Sequence, residues 1–197
     1  MITIGLTGGV ATGKSTVAKI LKEKRIEVIN SDELAHLAMA PEGPAYDKIL
    51  SEFGPAILSS DRKINRRQLG EIVFKDEAAR KRLEGIVHPI VIKGIRQALD
   101  GYAKGGTRMV VVEVPLLFEA GLMDLFDHIW VVSSPYERQL QRLLERDRLT
   151  EVEAKERIEA QLPLEEKKKR ADAVIENNNN GLDSLEKQVS TLLRTLE

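Results

Sequence analysis

Apolar and polar residues alternate at the amino terminus, with Ile2, Ile4 and Leu6 set against Thr3, Gly5 and Thr7. That period of two reads as a strand. Val17, Ile20 and Leu21 follow at helical spacing, and a second strand covers 26–30. From Ser31-Asp32-Glu33 to about Gly106 the pattern turns helical. Tyr46, Ile49, Leu50 and Phe53 form one apolar face. Leu69, Ile72 and Val73 form another behind a cap at Asn65, and Leu83, Ile86 and Val87 a third with Asp76 as N-cap. His88-Pro89 is expected to interrupt the last of these, with helix resuming over 90–103.

The strongest strand is 109–114, nearly all β-branched, as suits a central parallel strand covered on both faces. A fourth strand spans 128–132, and a helix runs from Pro135 or Tyr136 to about Arg148. Thr150-Glu151-Val152-Glu153 is a capping box opening a helix to Gln161, before Pro163. A short fifth strand spans 173–175. Leu182, Leu185, Val189, Leu192, Leu193 and Leu196 mark a C-terminal amphipathic helix. Strands alternating with helices predict an α/β fold with a doubly wound parallel five-stranded sheet. The helical block of about 70 residues between the second and third strands is too long for a simple crossover and reads as an inserted subdomain.

Composition narrows the function classes. Among 197 residues, 30 basic and 31 acidic side chains nearly cancel, so no global field recruits nucleic acid or an anionic membrane. The absence of cysteine excludes disulfides, thiolate metal sites and cysteine nucleophiles. Met1 leads straight into a strand, and the apolar runs are too short to span a membrane. The expectation is a soluble, cytoplasmic protein, monomeric or weakly associating, with no obligate protein partner.

The first two elements are joined by Gly8-Gly9-Val10-Ala11-Thr12-Gly13-Lys14-Ser15, followed by Thr16. This fits Gly-x-x-x-x-Gly-Lys-Ser/Thr, and strand, loop, helix is the context that motif requires. Glycines let the loop's N–H groups converge on phosphate oxygens at a helix start. Lys14 can serve the β/γ-phosphates and the Ser15 hydroxyl Mg²⁺. In such sheets the ligand lies beyond the carboxyl ends of the strands. Asp32, just after the second strand, is therefore the candidate to orient an acceptor hydroxyl and take its proton. The competing reading makes Asn30, Ser31 or Asp32 a helix cap.

Glu113 closes the third strand and Glu119 follows Pro115-Leu116-Leu117-Phe118. These carboxylates are candidates near the metal and the acceptor, against plain structural or surface roles. Arg138, Arg142 and Arg146 recur every four residues, about 400° of rotation, and so share a helix face. Their forked donors suit phosphate oxygens on a lid over ATP. The run 165–170 reads as a solvated helix surface. His36, His88 and His128 lack metal-ligand spacing.

Taken in order, Leu6-Thr7-Gly8-Gly9, Asn30-Ser31-Asp32, Leu83-Glu84 through His88-Pro89, Val114-Pro115-Leu116-Leu117-Phe118-Glu119, Gln139-Leu140 with Arg142 and Arg146, and Arg157-Ile158 with Gln161 resemble the dephospho-CoA kinase family over essentially the whole chain. Lys167, Ala171-Asp172, Ile175 and Asn177-Asn178 continue the resemblance. It implies a P-loop kinase domain with core about 1–35, 107–135 and 172–197, a helical substrate-binding insertion about 36–106 and a lid about 136–171. It implies transfer from Mg·ATP to the ribose 3′-hydroxyl of dephospho-CoA. Asp32 would activate that hydroxyl, with Lys14, Arg142 and Arg146 serving the transferring phosphoryl. ATP would be held by Gly9 to Thr16 and by Asn177 or Asn178 at the adenine. Phe74, His88, Leu117 and Glu119 would surround the acceptor. Asn30 replaces the first carboxylate of the family's Asp-x-Asp segment, which concentrates the base role on Asp32. The family's Asn pair is here a run of four, 177–180. The rival readings are a nucleoside monophosphate kinase and a nucleotide switch, though no Asn-Lys-x-Asp guanine motif occurs.

Overall fold

The alternating segment at the amino terminus becomes the centre of a sheet. The computed structural model describes residues 1–147, 149–178 and 181–196. Its elements are β1 (Ile2–Gly8), α1 (Lys14–Glu23), β2 (Glu27–Asn30), α2 (Ser31–Met39), α3 (Tyr46–Phe53), α4 (Arg66–Lys75), α5 (Glu77–Lys104), β3 (Met109–Glu113), β4 (His128–Ser133), α6 (Tyr136–Asp147), α7 (Glu151–Glu159), α8 (Leu164–Lys169), β5 (Ala173–Glu176) and α9 (Gly181–Arg194). Among the described residues the five strands form one sheet in the order β2-β3-β1-β4-β5. β1 pairs in parallel with β3 from Ile2↔Met109 to Leu6↔Glu113, and with β4 from Ile4↔His128 to Gly8↔Val132. β5 adds in parallel to β4.

The chain divides into two compact units, one formed by Met1–Ile29 with Tyr102–Glu197 and the other by Asn30–Gly101. In the first, Ile4, Leu6, Val111, Trp130, Val132 and Ile175 meet Val17, Ile20 and Leu21 of α1 and Leu185 and Val189 of α9. Gly5 serves the opposite face. A Cβ there would lie 2.6 Å from Leu117 and 2.7 Å from Phe126, so the glycine lets the segment after β3 press on the strand. Two aspartates set the strand register. Asp127, just before β4, accepts from Thr3 N–H at 2.8 Å and Thr3 Oγ1 at 2.9 Å. Asp172, just before β5, accepts from Ile129 N–H at 2.7 Å.

The second unit has its own core of Ala38, Ala45, Ile49, Ile57, Ile64, Leu69 and Val87. Asn65 caps α4 by accepting from Arg67 and Gln68, and Asp76 caps α5 by accepting from Ala78 and Ala79, both as the sequence predicts. The expected break at His88-Pro89 does not occur, because α5 runs unbroken through Pro89. Proline removes the donor that would serve the carbonyl of Gly85. Gly85 and Pro89 are both exposed, so water can serve that carbonyl, while Val87, Ile95 and Leu99 bury the other face. No helix among the described residues is long and apolar enough to cross a membrane.

Candidate active site

The phosphate loop leaves β1 at Gly8 and enters α1 at Lys14. Ala11 and Gly13 both hold left-handed backbone angles, with φ 56° and 100°. For a residue bearing a side chain this costs on the order of 1 kcal/mol and persists only where neighbours enforce it. The neighbours are explicit. Thr12 is buried and its Oγ1 donates to Gly9 O at 2.9 Å. Asn177 Nδ2 donates to Thr12 O at 2.8 Å, and Arg142 donates to Ala11 O at 2.9 Å. A Cβ on Gly13 would collide with the Asn177 amide, so glycine is required for space as well as for angle. Lys14 Nζ reaches back to Gly9 O at 3.5 Å. Among the described residues no side chain caps α1, and no acidic residue stands in its first turn. Its leading amides and the positive end of its dipole therefore suit an anion.

Around this loop the first unit supplies a second set of contacts. Asn177 N–H donates to Ser133 O at 2.8 Å, and Ser134 Oγ donates to Asn177 O at 3.0 Å, so the ends of β4 and β5 fix the asparagine. Asn178 instead pairs with Glu176. Asn179 and Asn180, the rest of the predicted adenine-proximal run, lie outside the described residues, as does Arg148 at the predicted end of α6. A cleft of about 590 Å³ runs beside the loop, lined by Gly9, Pro135, Gln139, Gln161, Leu162 and Asn178 among others.

The arginine stripe divides. Arg142 bonds to the loop at Ala11 O and also approaches Ser134 Oγ at 3.4 Å. Arg146 forks onto Asp147, with Nε–Oδ1 at 2.7 Å and Nη2–Oδ2 at 3.0 Å. That guanidinium holds the Asp147 carboxyl below the usual carboxylate range, with Arg157 adding to it, and the carboxylate raises Arg146 in turn. Arg138 donates to Gln141.

Of the two carboxylates, Glu113 is buried at the end of β3, opposite Leu6. Glu119 accepts from Leu162 N–H at 3.0 Å and meets Lys167 Nζ at 2.7 Å. Lys167 is fully buried, a correction to the reading of 165–170 as a solvated surface. Its ammonium has no hydrogen bond of good angle, so the contact with Glu119 is an ion pair by distance. A run of charges concealed one member that α8 turns toward β4. Leu117 is also fully buried, with its side chain over Gly5, and so backs the loop from the core.

The remaining predicted residues belong to the second unit and sit on three different helices. Asn30 caps α2 by accepting from Asp32 N–H at 2.8 Å and Glu33 N–H at 3.3 Å. Asp32 is thus the second residue of the helix, and its exposed carboxylate has no cap to make. Phe74, on α4, is 60% exposed. His88, on α5, is half-buried.

Two glutamines escaped sequence reasoning as single residues. Gln139 is 4% exposed; it donates to Ser134 O at 3.0 Å and packs against Gly9. Gln161 accepts from Val10 N–H at 2.9 Å. For Gln139 a signal was present, since it falls one turn from Leu143 on the apolar face of an amphipathic helix, where a polar residue needs a partner.

Comparisons with known proteins bear on the family and the fold. The family model for dephospho-CoA kinase matches residues 2–183. The dephospho-CoA kinase of Geobacillus kaustophilus is 46% identical over 193 residues, 98% of this chain and 96% of that protein. Among solved structures, TT1252 from Thermus thermophilus has 35% identity and a TM-score of 0.83, covering 100% of this chain and 98% of that one. Dephospho-CoA kinase from Campylobacter jejuni has 32% identity and a TM-score of 0.73, covering 98% of this chain and 96% of that one. A parallel five-stranded sheet carrying a built phosphate loop, in a chain matched along nearly its full length, leads to one conclusion: this chain belongs to the dephospho-CoA kinase family.

Proposed function

We propose that this chain transfers the γ-phosphoryl group of ATP to the ribose 3′-hydroxyl of dephospho-CoA, giving coenzyme A and ADP, in the cytoplasm. The observation that carries this reading is the phosphate loop, braced by Asn177 and Arg142, within a chain that matches the family over residues 2–183. The hydroxyl oxygen forms a bond to the γ-phosphorus as the bond to the β–γ bridging oxygen breaks, and ADP leaves. Asp32 accepts the hydroxyl proton. The cap made by Asn30 supports this role, because it leaves the Asp32 carboxylate exposed and without a structural task. Lys14 and Arg142 balance charge on the transferring oxygens. Arg146 joins them by exchanging Asp147 for phosphate. Asn177, with Asn178 beyond it, borders the adenine. Phe74 and His88 serve the acceptor.

Among the described residues no group of three His, Asp or Glu side chains could hold a metal alone. The chemistry of the loop still fits Mg²⁺, which keeps waters and takes few protein ligands beside phosphate oxygens. The Ser15 hydroxyl, exposed at the start of α1, is the ligand this chain offers. An ion held there would supply charge neutralisation to the phosphates.

The test is ADP release with Mg·ATP and dephospho-CoA, with AMP and adenosine as alternative acceptors and the product identified by mass. Turnover confined to dephospho-CoA is expected. Turnover only on AMP would replace this reading with a nucleoside monophosphate kinase. Asp32→Asn should lower turnover by about 100-fold or more while ATP affinity is kept. Near-wild-type turnover in that variant would remove Asp32 from the base role.

A further inference from the structure

Gln161 stands just beyond the end of α7, and its side-chain oxygen accepts from the Val10 amide at 2.9 Å. Val10 is the middle of the phosphate loop, directly before the left-handed Ala11. The next residue, Leu162, is held independently, because its N–H donates to Glu119 at 3.0 Å. Glu119 in turn meets the buried Lys167 ammonium at 2.7 Å. A short stretch of backbone between α7 and α8 is therefore tied on one side to the phosphate loop and on the other to the segment after β3. At the start of α6, Gln139 packs on Gly9 and donates to Ser134 O. The start of α6 and the segment after α7 thus engage consecutive loop residues through uncharged carboxamides, which add no charge beside phosphate.

We propose that Gln161 is a positioning residue for phosphoryl transfer: its carboxamide oxygen holds the Val10 amide and so fixes the centre of the phosphate loop, and Glu119, clamped by Lys167, acts through it. The proposal rests on the kinase reading above. It gives Glu119 a different task from the acceptor contact that the family resemblance implies. Its Oε1 is taken up by the Leu162 amide and the buried Lys167 ammonium, which fixes the carboxylate's orientation and leaves only Oε2 for any contact with substrate. Misplacement of a reacting group by about 1 Å costs on the order of 100-fold in rate, so a loop tie of this kind bears on turnover more than on nucleotide affinity.

The experiment compares the full-length protein with Gln161→Ala, Gln161→Glu, Glu119→Gln and the double variant Gln161→Ala/Glu119→Gln. It measures kcat, KM for ATP and for dephospho-CoA, and hydrogen exchange at the Val10 amide by NMR. Gln161→Ala should lower kcat by about 10-fold or more with KM for ATP within roughly 3-fold, and should speed exchange at Val10. Gln161→Glu, which keeps an acceptor oxygen, should restore slow exchange. The double variant should be no slower than the worse single variant, the mark of two residues acting as a unit. Unchanged exchange at Val10 in Gln161→Ala, or unchanged kcat, would overturn the proposal. So would additive losses with a raised KM for dephospho-CoA in Glu119→Gln, which would return Glu119 to the acceptor. Because Gln161 is only partly buried, the alanine variant is expected to fold even if Glu119→Gln does not. If the wild-type protein turned over no dephospho-CoA, the proposed function would fall, and Val10 exchange would still decide whether the tie exists.

Discussion

The sheet unit and the helical unit bury their apolar residues by different means. In the sheet, Ile4, Leu6, Val110, Val111, Val112, Val131 and Val132 are completely inaccessible, and the pairings that hold them join distant parts of the chain. The helical unit has a smaller core, built within 30–101, while both units leave some large apolar side chains exposed, Phe74 at 60% in one and Leu182 at 59% in the other. The helical unit's ion pairs Arg67–Glu71, Arg80–Glu84 and Lys81–Glu77 lie one turn apart on exposed faces, where each adds little. One unit is specified by packing on both sides of a sheet, and the other by caps and local spacing. Substitutions should be felt accordingly.

The largest effect should come from the sheet. Trp130 is 2% exposed among Ile4, Leu6 and α9, and Trp130→Ala should cost about 3–5 kcal/mol in denaturant unfolding. A cost below about 1 kcal/mol would mean that the sheet relaxes as readily as the helices. In the helical unit the sharper probe is a cap. Asn30→Ala should cost about 1 kcal/mol, whereas Asn30→Asp should be close to neutral, since aspartate accepts the same two amides. Phe74→Ala should change stability by less than about 0.5 kcal/mol, its ring being mostly in solvent, while raising KM for dephospho-CoA. A stability loss without a KM change would move Phe74 from the acceptor to the fold.

The smallest expected effect is one of pH. The Thr3 N–H, with help from its hydroxyl, holds the Asp127 carboxyl below its ordinary value. A group depressed in the folded state contributes stability above its unfolded value, about 3.9, and loses that contribution as pH falls through the folded value. Asp127→Asn should therefore reduce the stability difference between about pH 6 and pH 3. An unchanged difference would show that the clasp of β4 on β1 does not depend on charge.

The phosphate loop was legible because its determinants are contiguous: glycines, lysine and serine at fixed spacing between a strand and a helix. The caps at Asn65, Asp76 and Thr150 were legible for the same reason, each acting on amides two or three residues on. What escaped depends on long-range packing. Nothing local separates Lys167 from its lysine neighbours; its burial comes with the packing of α8 on β4 and the approach of Glu119. Pro89 misled because the breaking rule assumes a carbonyl without water, and α5 puts that carbonyl on its wet side. Gln161 belongs to the quoted motif, but its partner at Val10 lies 151 positions away. The equal spacing of the arginines likewise did not reveal that Asp147 engages Arg146 while Arg142 bonds to the loop.

The central place of β1 has a consequence for synthesis. Its neighbours begin at Met109 and His128, and the Asp127 clasp on Thr3 spans 124 positions. At typical elongation rates of about 5–20 residues per second, the first strand waits on the order of 5–20 s for its first partner to be made. During that interval the whole segment Asn30–Gly101, whose core is internal to itself, is already complete as sequence. Of the five described strands, the one that positions the phosphate loop is therefore made before the others and waits longest for a neighbour. An emerging chain must keep Ile2, Ile4 and Leu6 from other partners until the third and fourth strands arrive.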